Sequence, residues 1–173
     1  MLMIARISLA LVLPLSATAV AVADEFPLRK PGLWEVAVTA EKHSPVTMKM
    51  CIDKDTDQLF QKFGTDLSAQ ACAHADVKVV GNVATADAQC KVGGSTLTST
   101  AVTSFKGDVA FHSEVKSHFE PAVMGRTDVL VAQEGKWSGP CPSDMKPGDF
   151  TAPNGMKLNV KMLSSLKKFL PQN

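Results

Sequence analysis

The stretch from Phe111 to His118 holds the residue types best suited to chemistry in this sequence. If it forms a strand, alternation places one set of side chains opposite Phe111 and Val115. That set is His112, Glu114, Lys116 and His118. An imidazole and a carboxylate two positions apart in a strand lie about 7 Å apart, within reach of one metal ion.

The same pattern is typical of a solvated polar face, which we favour. A metal site needs a third ligand that this stretch does not supply. His112 and Glu114 are therefore weak metal candidates, and we predict no metal. A metal-binding or hydrolytic protein that uses this strand face remains the alternative function.

Other chemistry has less support. Met48 and Met50 with His43 could hold a soft metal such as Cu(I), but alternating inward methionines are more typical of a core. His74 and Asp76 fall on an outer strand face, and no Gly-x-Ser-x-Gly elbow is present. We predict no catalytic residue, no cofactor and no enzymatic activity.

Residues 1–23 predict the compartment. Arg6 is followed by an apolar run from Ile7 to Leu15 and by small residues that end at Ala23. This is the layout of a secretory signal peptide cleaved after Ala23, and it is too interrupted for a membrane span. We predict a periplasmic protein.

The charge after cleavage excludes some partners. Without Arg6, the basic residues balance the 17 acidic ones, so nothing recruits nucleic acid or an acidic membrane surface. Four cysteines in an exported chain predict two disulfides. Zinc is disfavoured, because close pairs such as C-x2-C are absent.

The chain after residue 24 is mostly strand. Alternation predicts strands over 32–39 and 46–50, and Asp53 or Asp55 can cap a short helix that carries Leu59, Phe60 and Phe63 and ends at Gly64. Further strands are predicted near 97–105, 109–115 and 126–137. Residues 149–154 read as loop, and a C-terminal amphipathic helix follows Gly155.

The hairpin around Gly81-Asn82 is the most informative stretch. A two-residue turn pairs Val80 with Val83 and places small apolar residues on one face. They are Ala73, Ala75, Val77, Val79, Ala84, Ala86, Ala88 and Cys90.

In this register Cys72 and Cys90 point to opposite faces, so a bond between them would be strained. We therefore favour the pairs Cys51–Cys72 and Cys90–Cys141. The pairs Cys72–Cys90 and Cys51–Cys141 are the second choice, if the loop is one residue longer.

Together these elements predict a mainly β fold. We expect a single antiparallel curled sheet or open barrel of about seven strands, with one short crossover helix and the C-terminal amphipathic helix. The expected organisation is a signal peptide (1–23), a β domain (24–150), and a C-terminal loop and helix (151–173). The segment Gly135 to Cys141 then closes the fold, because Cys141 would be oxidised after export.

The order of several motifs resembles a family. They are the segment Arg29 to Glu35, Cys51, Cys72, Gly81-Asn82, Cys90 and the segment Gly135 to Cys141. In this order the chain resembles the domain of unknown function 3617, which is found in exported bacterial proteins. The resemblance spans roughly residues 28 to 150 and implies a periplasmic, mostly β protein, with no activity or cofactor to carry over.

The function predicted from sequence is that of an exported, disulfide-stapled, non-catalytic protein. The small apolar residues on one face of the hairpin would leave room for an apolar small ligand at the mouth of the fold. The alternative binding partner is an envelope protein. The sequence does not define an oligomeric state.

Overall fold

The structure is a computed structural model that describes residues 25–41, 44–152 and 154–166. The signal peptide expected over 1–23 and the candidate ligand His43 lie outside these residues. The strands are β1 (Gly32–Ala40), β2 (Val46–Ile52), β3 (Cys72–Val80), β4 (Val83–Val92), β5 (Ser95–Lys106), β6 (Ala110–Val123), β7 (Arg126–Gly139), β8 (Asp149–Thr151) and β9 (Lys157–Asn159). The helices are α1 (Lys54–Ala71) and α2 (Val160–Leu166).

All nine strands form one antiparallel sheet in the order β3-β4-β5-β6-β7-β1-β2-β8-β9. The predicted mainly β class is confirmed. The sheet is open, with β3 and β9 at its ends, so it is not a closed barrel. The seven predicted strands are present, and β8 and β9 are additional.

The inner face of the sheet, defined here as the face toward α1, carries the core. Trp34 and Val36 of β1 are buried there, and Trp34 stacks on Phe111 of β6 with ring centroids 6.0 Å apart. Phe105 of β5 lies beside Phe111 at 6.2 Å. Alternation in β1 predicted the inward position of Trp34 and Val36.

Helix α1 is longer than predicted. It passes through Gly64 and ends at Ala71. A glycine inside a helix costs only about 1 kcal/mol relative to alanine, so it need not end the helix. The predicted cap is confirmed, since Asp53 accepts a hydrogen bond from the backbone N–H of Thr56 at 2.8 Å.

The hairpin register is confirmed near the turn and corrected at its far end. Val80 pairs with Val83 and the register holds as far as His74 opposite Gln89. A bulge between Cys72 and His74 then brings Cys72 opposite Cys90.

The favoured disulfide pairing was therefore wrong. The disulfides are Cys72–Cys90 and Cys51–Cys141, the second choice from sequence. The turn kept its two residues, and the extra residue is Ala73 in the strand, where it shifts the pairing by one position.

The C-terminal region differs from the prediction. Residues 149–151 form β8 instead of loop, and β8 pairs with β2 through Phe150 opposite Met50. The sheet thus continues past residue 150. Helix α2 begins at Val160 and is described as far as Leu166. Among the described residues, no helix is both long enough and apolar enough to cross a membrane.

Candidate functional site

A cavity of about 740 Å³ lies between α1 and the inner face of β3 to β7. Its floor includes five alanines, and its roof is formed by one side of α1. The alanines are Ala75, Ala84, Ala86, Ala88 and Ala101. Its volume is within the range of about 300–1,000 Å³ that is typical of small-molecule sites.

The strand register explains why only short side chains cover the floor of the cavity. Ala75 pairs with Ala88, and Ala86 pairs with Ala101, so methyl groups lie side by side across three strands. Larger side chains at these positions would reach the helix and fill the space. Four of the five predicted alanines line the cavity, as does Val77; Ala73 does not, because it sits at the bulge and is exposed.

The roof follows from the periodicity of α1. Phe60, Gly64 and Ser68 recur at helical spacing, and all three line the cavity together with Gln61 and Thr65. The N-terminus of the helix is fixed by a capping box, in which Thr56 Oγ1 accepts the backbone N–H of Asp53 at 2.9 Å. The hydrogen bonds from Thr56 lower the pKa of Asp53 below its ordinary value.

A buried ion pair anchors the first turn of α1 to the segment before β1. The side chain of Asp57 is fully buried, and its Oδ1 accepts from Arg29 Nε at 2.7 Å while Oδ2 accepts from the Arg29 backbone N–H at 2.8 Å. The Arg29 guanidinium also lies 5.5 Å from the ring centroid of Trp34 and 5.8 Å from that of Phe111. This pair could not be predicted from sequence, because the two residues are 28 positions apart and Asp57 resembles an ordinary first-turn acid.

One row of uncharged polar side chains crosses the floor of the cavity. Thr103, Ser113 and Gln133 lie opposite one another on β5, β6 and β7. Thr103 Oγ1 donates to Ser113 Oγ at 2.9 Å, and Ser113 is buried. The apolar floor therefore contains a band of hydrogen-bonding groups, and the sequence signal for it was a polar residue in each strand at an inward position.

A cavity of about 490 Å³ shares Gln61, Thr65 and Val77 with the main one, and two smaller cavities adjoin the main one beneath α1. One of about 290 Å³ shares Phe26, Phe60 and Gln61 with it, and the other, of about 260 Å³, lies between α1 and α2. Met48 and Met50 line both of the smaller cavities, which is the core position preferred for them from sequence.

The segment Gly135 to Cys141 closes the fold, as predicted. Trp137 Nε1 donates to the carbonyl of Pro31 at 3.0 Å, and Lys30 Nζ lies 3.9 Å from the Trp137 ring centroid. Gly32 has a φ of +133°, and a Cβ there would overlap the carbonyl oxygen of Gly139. The two glycine-containing motifs thus pack directly against each other.

The polar face of β6 lies on the outer side of the sheet, away from the cavity. His112 Nδ1 contacts Glu134 Oε1 at 2.6 Å, and its Nε2 lies 3.7 Å from Glu114 Oε1. The hydrogen bond with Glu134 raises the pKa of His112 above its ordinary value. His118 pairs with Asp128 at 2.9 Å, and this hydrogen bond lowers the pKa of Asp128.

This arrangement does not build a metal centre. Glu134 and Glu114 engage opposite nitrogens of the His112 ring, so the three groups do not converge on one point. Within the described parts of the chain, no group of three His, Cys, Asp or Glu side chains could hold a metal ion. Glu134 was missed from sequence because its proximity depends on the β6–β7 register.

A family model described as "Protein of unknown function (DUF3617)" matches residues 29–141. The chain belongs to this family. No curated protein and no solved structure matches the chain significantly.

The DUF3617 match begins at Arg29 and ends at Cys141. It therefore includes both disulfides, α1 and the whole floor of the cavity, whereas β8, β9 and α2 lie after it. The cavity is thus built almost entirely from the DUF3617 region, with Phe26 added from the preceding segment.

Proposed function

We propose that this DUF3617 protein is an exported, non-catalytic binding protein that holds an apolar ligand between α1 and the sheet. The observation that carries the proposal is the cavity of about 740 Å³ with its alanine floor. An apolar concave site of this size that contains a few polar groups is a candidate binding site.

The lining favours a ligand without negative charge. No basic residue is among the described residues that line the cavity. The carboxylates of Asp76 and Asp87 lie on the outer face of the sheet, where they contact His74 and Thr100, and Asp66 of α1 pairs with Lys62. Arg29 lines the adjoining smaller cavity, but its guanidinium is paired with Asp57. Thr103, Ser113 and Gln133 can form hydrogen bonds with an uncharged polar group of the ligand, such as a hydroxyl or an ester. The rest of the ligand would be an apolar hydrocarbon chain.

Export is supported by two observations. Both disulfides join residues of the DUF3617 region, and such bonds persist in oxidising compartments. The pattern of residues 1–23 is that of a secretory signal. Expression in a bacterium should give a periplasmic protein that begins at Asp24, and mass measurement of a full-length cytoplasmic chain would contradict this.

Ligand binding is tested with the uncharged fluorophore N-phenylnaphthylamine. The substitution Ala101→Phe fills the floor and should weaken binding at least about tenfold. The neighbouring substitution Val102→Phe is the matched control, because Val102 belongs to the same strand but is exposed on the outer face. Equal affinity of the two variants, or no binding by the wild-type protein, would refute the proposal.

The ligand class is tested by displacement of the bound fluorophore. Dodecanol should compete better than dodecanoate, since both carry the same chain length and only the second would have to bury a carboxylate in a lining without a described basic side chain. Replacing Ser113 with Ala should reduce the advantage of dodecanol over dodecane. A preference for dodecanoate would contradict an uncharged ligand.

A further inference from the structure

The free edge of β3 carries a second inference, which does not depend on ligand binding. β3 is nine residues long and stands at one end of the sheet, and among the described strands it pairs with β4 alone. The opposite end is β9, which has three residues and leads directly into α2. The sheet therefore has one long edge open to pairing.

The turn determines which backbone groups point outward from this edge. Gly81 and Asn82 form a two-residue turn, so Val80 and Val83 exchange backbone hydrogen bonds, and every second pair along the hairpin does the same. The intervening residues Ala75, Val77 and Val79 direct their N–H and C=O groups away from β4. None of the described backbone hydrogen bonds outside the strand ladders engages these three residues.

We propose that β3 pairs with β3 of a second copy, antiparallel and centred on Val77, to form a continuous sheet across a two-fold axis. In this register Val77 lies opposite Val77 of the second copy, and Ala75 lies opposite Val79. These are the residues whose backbone groups face outward, so each such pair can exchange two hydrogen bonds.

Charge complementarity selects this register. Centring on Val77 places Asp76 opposite Lys78 of the second copy, and the two-fold axis repeats this pair. Centring on Asp76 or Lys78 would instead oppose like charges and would turn the wrong backbone groups toward the interface. Centring on Ala75 would bring the Ala73 bulge into the ladder, and centring on Val79 would shorten it at the turn.

The exposure of β3 agrees with the proposal. Val80 on the outer face is 60% exposed although it is a large apolar residue, and Val77, which also lines the cavity, is 43% exposed. Within one chain Asp76 contacts His74 at 2.9 Å, and both side chains are largely exposed, so Asp76 can also reach a lysine across the interface.

The oxidised protein is tested by sedimentation velocity across a concentration series, with circular dichroism as the check on folding. We expect a dimer in the wild-type protein. Asp76→Lys alone and Lys78→Asp alone should each raise the dissociation constant about tenfold or more, because each places like charges opposite one another twice. The double exchange, Asp76→Lys with Lys78→Asp, should restore the dimer, since it re-forms both pairs with opposite polarity.

Two further variants complete the test. Val77→Pro removes an outward-facing N–H and should give a monomer without breaking the β3–β4 ladder. Lys116→Asp on β6 makes the same charge change away from the edge and should leave the dimer intact. A wild-type monomer at the highest soluble concentration, or a dimer unaffected by either single charge reversal, would overturn the proposal.

Discussion

The carboxylate of Asp57 accepts two hydrogen bonds from Arg29, one from the side-chain Nε–H at 2.7 Å and one from the backbone N–H at 2.8 Å. Asp57 is fully buried and Arg29 is 11% exposed at its side chain. The contact joins the start of α1 to the segment that enters β1, and so it positions the helix over the sheet.

Breaking this pair should be costly. Asp57→Asn leaves the guanidinium of Arg29 without its counter-charge in a buried setting, and we expect a loss of about 3–5 kcal/mol in the free energy of unfolding. Urea denaturation measures it. Lys62→Gln is the control, since it breaks an exposed pair with Asp66 and should cost less than about 0.5 kcal/mol. Similar losses in the two variants would contradict the structural role of Asp57.

The two disulfides should contribute unequally. Cys51–Cys141 closes 90 positions and Cys72–Cys90 closes 18. On the loop-entropy account, these closures stabilise the fold by about 4.6 and about 3 kcal/mol. The double Cys→Ser variant of the longer loop should therefore have the lower urea midpoint. Proteolytic mapping of the unreduced protein checks the connectivity, and a Cys51–Cys72 peptide would contradict it.

Substitution by alanine should change the stability of the protein in opposite directions at two glycines. A Cβ at Gly135 would overlap the Phe111 ring, so Gly135→Ala should destabilise the protein by about 1–3 kcal/mol. A Cβ at Gly64 would meet open space within α1, and Gly64→Ala should stabilise it by about 0.5–1 kcal/mol. Thermal unfolding of both variants provides the measurement. A destabilised Gly64→Ala variant would indicate that the helix does not continue through this position.

The His112–Glu134 contact should give a measurable pH dependence. Its hydrogen bond raises the folded-state pKa of His112 above 6.5, so the stabilisation it provides is complete below that pH and is lost as pH rises through the folded-state pKa. An NMR titration should show a lower His112 midpoint in Glu134→Gln than in the wild-type protein. The stability difference between the two proteins should likewise be larger near pH 5.5 than near pH 9 by the same linkage. Identical midpoints would contradict the contact.

Much of the fold could be predicted from alternation alone. The inward positions of Trp34 and Val36, the turn at Gly81-Asn82 and the alanine floor all follow from period-two patterns. The Ala73 bulge could not be predicted, because an exposed alanine carries no pattern that distinguishes a bulge from a regular pair. The wrong disulfide pairing followed from that one residue.

The full length of α1 and its ion pair with Arg29 depend on tertiary contacts, so they could not be predicted from sequence. Gly64 suggested a helix end, yet α1 continues because its far half packs near β3, and a single glycine costs too little to stop it. Arg29 and Asp57 meet only after β1, β2 and α1 are placed. The strands β8 and β9 have three residues each, too few for an alternating pattern to be visible.

Cys72 is both the residue that caps the end of α1 and the first residue of β3. Its bond to Cys90 therefore clamps the far end of the roof to the floor below, while Arg29 holds the near end. Loss of this bond in a Cys72→Ser and Cys90→Ser variant should therefore loosen the far end of the roof, while the backbone ladder between β3 and β4 still holds the hairpin together.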